Sequence, residues 1–226
     1  ITGAEVFGDE NFIIKRIEFD SRNIYDAKHT AFLAINTSTN SGEKYINSAI
    51  EKEIQVIIWE KIIPIIENIT WIIVENSIRF LQKLAKFHLH QFPLKTIGIT
   101  GSNGKTIVKE WLYQLLHEDY NIVRSPKSYN SQIGVPLSIW QMNEQHELAI
   151  FEAGISQQEE MLRLEKMIQP TIGILTNSGE HNSKGFIDDE HKFREKLTLF
   201  RNCSVLIGRE IDFIHRQEVL EMFGEL

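Results

Sequence analysis

Lys105 and Thr106 close the stretch Thr96-Ile97-Gly98-Ile99-Thr100-Gly101-Ser102-Asn103-Gly104-Lys105-Thr106, whose residue types could do phosphate chemistry. A lysine ammonium supplies positive charge to phosphate oxygens, and a threonine hydroxyl suits a magnesium ion. Gly101 and Gly104 let the backbone turn tightly and bring its N–H groups toward an anion. Ile97 and Ile99 suit a buried strand before the loop. Ile107, Val108, Trp111, Leu112, Leu115 and Leu116 suit one face of a helix after it. Strand, glycine loop and helix in this order predict a phosphate-binding loop made of Thr100, Gly101, Ser102, Asn103, Gly104, Lys105 and Thr106. The spacing departs from the commonest form, which has a glycine where this chain has Ile99.

Other residues could join that site. Glu152 ends the apolar run Leu148-Ala149-Ile150-Phe151. A carboxylate at a strand end beside a phosphate loop holds magnesium, or else caps a helix that starts near Gln157. Asn130 lies in the polar loop Ser125–Pro136, where it contacts substrate or nucleotide or stabilises a turn. Asn177 follows a further strand, and His181 is a loop histidine shortly after it. Lys196 sits on a helix, where a lysine is ordinarily a solvated charge. In the first part of the chain, Asp20-Ser21-Arg22 reads by itself as a polar turn.

The elements that must position these groups fall into two domains, residues 1–80 and 81–226. The first is a small mixed α/β domain with short strands at Phe12–Ile14, Ala31–Ala34, Gln55–Trp59 and Thr70–Val74, and a helix over Tyr45–Lys52. A helix capped by Asn76 or Ser77 carries Phe80, Leu81, Leu84, Phe87 and His88 on one face, ends before Pro93 and joins the domains. From Lys95 onward, strands alternate with helices. Strands are expected at Thr96–Thr100, Asn121–Arg124, Leu148–Ala153, Thr171–Thr176 and Ser204–Ile207. Helices are expected at Lys105–His117, through Pro136–Gln141, at Gln157–Ile168 and at Glu190–Phe200. That alternation predicts a mainly parallel sheet covered on both faces. Ligands bind such sheets at the carboxyl ends of the strands. The loop, Glu152 and Asn177 all fall there, so they are candidates for one site.

The net charge of −7, from 31 acidic and 24 basic residues, argues against nucleic-acid binding driven by phosphate attraction. It leaves nucleotides open, since a loop and a lysine handle those locally. Cys203 is the single cysteine, so no internal disulfide forms, which fits a reducing compartment. No signal peptide is visible. The apolar region Ile54–Val74 is broken by Glu60, Lys61, Pro64, Glu67 and Asn68, so membrane insertion is not expected.

The loop Thr-Gly-Ser-Asn-Gly-Lys-Thr resembles the ATP loop of the Mur ligases, the cytoplasmic enzymes that build the peptide stem of cell-wall precursors. The resemblance extends to Phe151-Glu152-Ala153-Gly154-Ile155-Ser156, to Asn130 followed by Ile133-Gly134-Val135-Pro136, and to Thr176-Asn177. It implies ATP and Mg2+ as cofactors, with Glu152 on the metal. The family's metal-binding histidine, aligned without a gap, falls on Asn182, with His181 one residue earlier. The family lysine at the place of Lys196 is carbamylated, which turns a cation into an anionic oxygen ligand. The resemblance thus implies catalytic roles for Lys105, Lys196 and His181. It also implies metal ligation by Thr106, Glu152, Lys196 and His181.

Asp20-Ser21-Arg22 before Thr30-Ala31-Phe32-Leu33-Ala34 resembles the segment that holds the uridine diphosphate end of the substrate, which implies binding by Ser21 and Arg22. Ser41-Gly42-Glu43 stands where the family shows an Asp-Gly-His-like turn, so two polar groups differ there.

The whole chain looks like the first two domains of the family member that adds D-alanyl-D-alanine to UDP-N-acetylmuramoyl-tripeptide. Val108–Leu112 and Ser128–Gly134 look most like a form fused to an alanine racemase, and pyridoxal phosphate (PLP) would enter only with that half. The expectation is a fragment lacking the third, closing domain. The open alternatives are a related ligase adding a diamino acid, a folylpolyglutamate synthetase, a phosphotransferase, and a non-catalytic nucleotide-binding half.

Overall fold

The computed structural model describes residues 3–37, 40–61, 66, 68–177 and 185–209. The chain divides into two compact units, Ile1–Leu84 and Ala85–Leu226.

The first unit holds β1 (Glu5–Phe7), β2 (Arg16–Glu18), β3 (Thr30–Leu33), α1 (Ile46–Ile50), β4 (Val56–Trp59) and β5 (Thr70–Ile73). The sheet order is β1-β5-β4-β3-β2, with β1 antiparallel to β5 and the other pairs parallel. Thr-Ala-Phe-Leu of β3 and Val-Ile-Ile-Trp of β4 are buried throughout, as central strands covered on both faces must be. Phe32, Ile46, Ala49, Ile57, Trp59 and Trp71 pack into one core. The expected strand at Phe12–Ile14 does not form. The chain pairs at Arg16–Glu18 instead, where Arg16 faces Thr30 in register, and Ile13 is exposed. Apolarity marked the region, but the available pairing partner set the strand.

The helix α2 (Ser77–Gln91) spans the division between units. Asn76 caps it, its Oδ1 accepting from Arg79 N at 2.8 Å. Phe80 and Leu81 are buried, whereas Phe87, expected on the same face, is exposed.

The second unit runs β6 (Lys95–Thr100), α3 (Lys105–Leu116), β7 (Ile122–Arg124), α4 (Gly134–Ile139), β8 (Leu148–Glu152), α5 (Glu160–Ile168), β9 (Ile172–Leu175), α6 (Asp189–Leu197) and β10 (Val205–Ile207). The order β10-β9-β6-β8-β7 is parallel throughout. Alternate residues of each strand serve opposite faces. Ile97, Ile99 and Ile150 meet Val108, Leu112, Tyr113 and Leu116 of α3 on one side. Ala149 and Phe151 meet Val135 and Ile139 of α4, Met161, Leu164 and Ile168 of α5, and Phe193 and Leu197 of α6 on the other.

The six apolar residues expected on one face of α3 divide into two sets. Val108, Leu112 and Leu116 pack on the sheet, while Ile107, Trp111 and Leu115 are exposed. The sheet covers a narrower arc than the apolar residues occupy, and Lys109 and Tyr113 take the other side of it. The fifth helix begins at Glu160 rather than Gln157, because the Glu160 carboxylate takes the N–H groups of Ser156 and Gln157 at 2.6 and 2.9 Å.

Candidate functional site

The ends of β6, β8 and β9 lie side by side, and the loop from β6 to α3 crosses above them. Gly101 has φ +144°, and a Cβ there would stand 2.1 Å from Thr176 Oγ1. Only glycine lets the loop lie this close to β9. Gly104, at φ +80°, precedes the first residue of α3.

Asn177 braces the loop. Its carbonyl accepts from Ser102 N at 3.1 Å and its Oδ1 from Asn103 N at 3.2 Å. Its Nδ2 donates to Asn103 O at 3.1 Å, and Thr176 Oγ1 donates to the same carbonyl at 2.5 Å. Two loop N–H groups expected to face an anion are thus held by Asn177. The N–H groups of the first turn of α3 have no intrahelical partners by construction and point toward the loop.

Lys105 curls back over the loop, its Nζ donating to Gly101 O at 2.8 Å. Burial pushes its ammonium below the ordinary lysine value, with Lys192 adding to that and Glu152 opposing it. Thr106 Oγ1 donates to Glu152 Oε2 at 3.0 Å and lies 3.1 Å from Ser128 Oγ. Glu152 is fully buried at the end of β8, and its N–H donates to Ser125 Oγ at 3.2 Å. Its carboxylate turns toward the loop, so the helix-capping alternative falls away. Lys196 is also buried, and its Nζ donates to Ser102 Oγ at 2.7 Å. A helix lysine that reads as a solvated charge is thus drawn into the site by the packing of α6.

A cavity of about 320 Å3 opens beside these groups, bordered by Ser102, Lys105, Asn130, Glu160, Lys192 and Lys196 among others. Thr100 borders it as well, with its hydroxyl donating to Ala153 O at 2.8 Å. Asn130 is held there by Gly154 N donating to its carbonyl at 2.8 Å. His181 and Asn182 lie outside the described residues.

Sequence reasoning assigned no role to Lys109, although it is fully buried in this site. Its Nζ lies 3.0 Å from Glu152 Oε1 and 3.1 Å from Glu110 Oε1. It also donates to Ser125 O at 2.7 Å and to Lys127 O. Glu110 is paired in turn with Arg124 at 3.2 Å. The one signal available was spacing: Lys109 follows Lys105 by four residues, one helical turn further along.

No cluster of three or more His, Cys, Asp or Glu that could hold a metal occurs among the described residues. The oxygens of Thr106 and Glu152, 3.0 Å apart, suit a hard cation that draws its other ligands from phosphates and water, as Mg2+ does. Glu152 Oε2, which accepts from the Thr106 hydroxyl, is the carboxylate oxygen that faces the loop, while Oε1 is paired with Lys109.

In the first unit, Ser21 is buried and its Oγ lies 2.9 Å from Ser48 Oγ. Arg22 forks onto Asp20 through Nε at 2.9 Å and Nη2 at 2.6 Å. That hydrogen bonding holds the Asp20 carboxyl below its ordinary value. The Arg22 side chain is otherwise exposed.

Comparison with known proteins gives consistent matches. Residues 99–210 match the Mur ligase middle domain. The UDP-N-acetylmuramoyl-tripeptide–D-alanyl-D-alanine ligase of Bacillus subtilis is 30% identical over 191 residues, covering 84% of this chain and 41% of the relative. The enzyme of the same name from Treponema pallidum is 34% identical over 173 residues, covering 72% and 37%. The crystal structure of MurF from Acinetobacter baumannii superposes with a TM-score of 0.81 at 27% identity, covering 91% of this chain and 46% of that one. MurF from Thermotoga maritima in complex with ADP gives 0.80 at 25% identity, covering 95% and 50%. The chain thus spans half or less of the length of these relatives.

Proposed function

Because this chain belongs to the Mur ligase family, we propose that it supplies the nucleotide-binding part of an ATP-dependent ligase joining D-alanyl-D-alanine to UDP-N-acetylmuramoyl-tripeptide. The observation that carries the reading is the convergence of Lys105, Thr106, Glu152 and Lys196 on one loop at the carboxyl edge of the sheet. The names of the relatives supply the substrates.

The reaction is amide formation through an acyl phosphate. The γ-phosphoryl group of ATP passes to the terminal carboxylate of the tripeptide. The amine of D-alanyl-D-alanine then attacks the acyl carbon, and phosphate leaves. The protein's part is to position reactants and to offset developing negative charge. Lys105 and the N–H groups at the start of α3 would face the phosphates, and Asn130 and Lys196 border the cavity that would take the reacting carboxylate. Thr106, Glu152 and a carbamylated Lys196 would hold magnesium, which supplies counter-charge to the phosphate oxygens. A second metal position would fall to His181 or Asn182. Ser21 and Arg22 would hold the uridine diphosphate end, with residues 1–80 as the substrate domain and 81–226 as the ATP domain.

The setting is cytoplasmic, where these precursors are made, and no helix among the described residues is long and apolar enough to cross a membrane. Val108–Leu112 and Ser128–Gly134 favour the form followed by an alanine racemase, whose cofactor would be pyridoxal phosphate.

The test is ATP-dependent phosphate release by the full-length protein. It should require both UDP-N-acetylmuramoyl-tripeptide and D-alanyl-D-alanine, and product mass should show the pentapeptide. Release with a dipeptide precursor and a free diamino acid would move the assignment to the diamino-acid ligases. Lys196→Ala should abolish turnover and recover part of it with added short carboxylates; unchanged turnover would leave Lys196 as a structural lysine.

A further inference from the structure

We propose that Lys109 is a positioning residue for the nucleotide–metal site. Its buried ammonium fixes the Glu152 carboxylate and the Ser125–Lys127 backbone so that Thr106 and Glu152 present their oxygens together. The proposal rests on the reading of Thr106 and Glu152 as a magnesium site.

Lys109 and Lys196 are the buried lysines among the described residues. An ammonium taken out of water needs compensating partners, and those of Lys109 come from three places. Glu152 ends β8, Glu110 belongs to α3 itself, and the carbonyls of Ser125 and Lys127 belong to the loop after β7. The Lys109 Nζ donates to the two carbonyls and is ion-paired with both carboxylates, 3.1 Å from Glu110 Oε1 and 3.0 Å from Glu152 Oε1. Glu152 Oε1 is thus held by the ammonium, while Oε2 takes the Thr106 hydroxyl at 3.0 Å. The two carboxylate oxygens are therefore gripped from opposite sides, by residues one helical turn apart on α3.

The same ammonium meets a backbone that needs holding. Lys127 has φ +49°, a region that non-glycine residues rarely adopt, and its carbonyl is one of the Lys109 acceptors. Ser128, next in the chain, lies 3.1 Å from Thr106 Oγ1. Lys109 thus links the strand end that carries Glu152 to the loop that carries Ser128. Beyond it, Glu110 pairs with Arg124, whose guanidinium lies 3.5 Å from the centre of the Tyr113 ring. The row Glu152, Lys109, Glu110, Arg124 alternates in sign from the buried site outward. A purely apolar helix face would pack on the sheet equally well, but it would leave Glu152 buried without a counter-charge as a polyphosphate approaches.

The experiment is calorimetric titration of ADP into the protein across a series of Mg2+ concentrations, for wild type, Lys109→Met, Glu152→Gln and the double variant. Metal-free ADP affinity should stay within about two-fold in Lys109→Met. The Mg2+ concentration for half-maximal enhancement should rise at least ten-fold, as it does in Glu152→Gln. The double variant should match Glu152→Gln alone, because Lys109 acts through that carboxylate. An unmoved Mg2+ midpoint in Lys109→Met overturns the proposal, and so does a further ten-fold loss in the double variant. If Lys109→Met fails to fold by near-ultraviolet circular dichroism, the double variant, which removes both buried charges, carries the comparison with Glu152→Gln. Wild-type ADP binding that ignores Mg2+ would overturn the metal reading itself, and the proposal with it.

Discussion

At the residue scale the site is a matter of where a few charges are held. Lys105 makes no ion pair within the loop; it donates to the Gly101 carbonyl, so its charge remains for a ligand. A hydrogen bond to a charged group contributes about 1.5–3 kcal/mol. Lys105→Ala is therefore expected to weaken Mg·ADP binding by about ten- to a hundred-fold, measured by calorimetry, with the melting temperature little changed. Equal affinity in the two proteins would remove Lys105 from the nucleotide site. Lys109 differs in kind, because both it and Glu152 are buried. Breaking a buried pair by removing one partner costs about 3–5 kcal/mol. Lys109→Met should therefore lower stability far more than Lys105→Ala in denaturant melts.

At the element scale, two features depend on how segments meet. The phosphate loop lies against β9 only because Gly101 has no side chain: alanine there would collide with Thr176 and hold φ in a strained region. Gly101→Ala should destabilise the loop by more than about 1 kcal/mol. It should also weaken ADP binding at least as much as Lys105→Ala does; retained affinity would show that the loop has room to shift. The start of α2 depends on Glu60, whose carboxylate accepts from Ser77 N and Ser77 Oγ, each at 2.7 Å, and from Asn36 Nδ2 at 2.9 Å. Burial pushes that carboxyl up, but the hydrogen bonds from Ser77 and Asn36 outweigh it and hold the value below the ordinary 4.5. A lowered carboxyl favours the folded state above its unfolded value, and that contribution is lost as pH falls through the folded value. Glu60→Gln should therefore cost about 1–2 kcal/mol at pH 7, and the gap to wild type should close as pH drops below 4.5. A gap of constant size in melts across that range would show that the charge of Glu60 is not what holds the helix.

At the scale of the whole molecule, the two units carry different halves of the proposed chemistry. Titration with UDP-N-acetylmuramoyl-tripeptide should shift the amide resonances of Ser21 and Arg22, and shifts confined to the second unit would sink the uridine assignment. A polypeptide of these 226 residues spans half or less of its relatives. It is expected to bind Mg·ADP, measured by calorimetry, and absence of binding would overturn the nucleotide assignment. The alternation of strands and helices after Lys95, the glycine loop and the candidate carboxylate at the end of β8 were all legible in the chain. Local pattern carries them: period-two and helical apolar spacing, glycine where the backbone must turn, and a polar residue where an apolar run stops. The strand at Arg16–Glu18 was not legible, because pairing with β3 rather than composition placed it. Nor was the split of α3 into a packed and an exposed row, because the sheet decides how wide an arc it covers. The burial of Lys109 and Lys196 was hidden for the same reason. A lysine carries no local sign of whether water surrounds it, and only the packing of α3 and α6 on the parallel sheet brings these ammonium groups to Glu152 and Ser102.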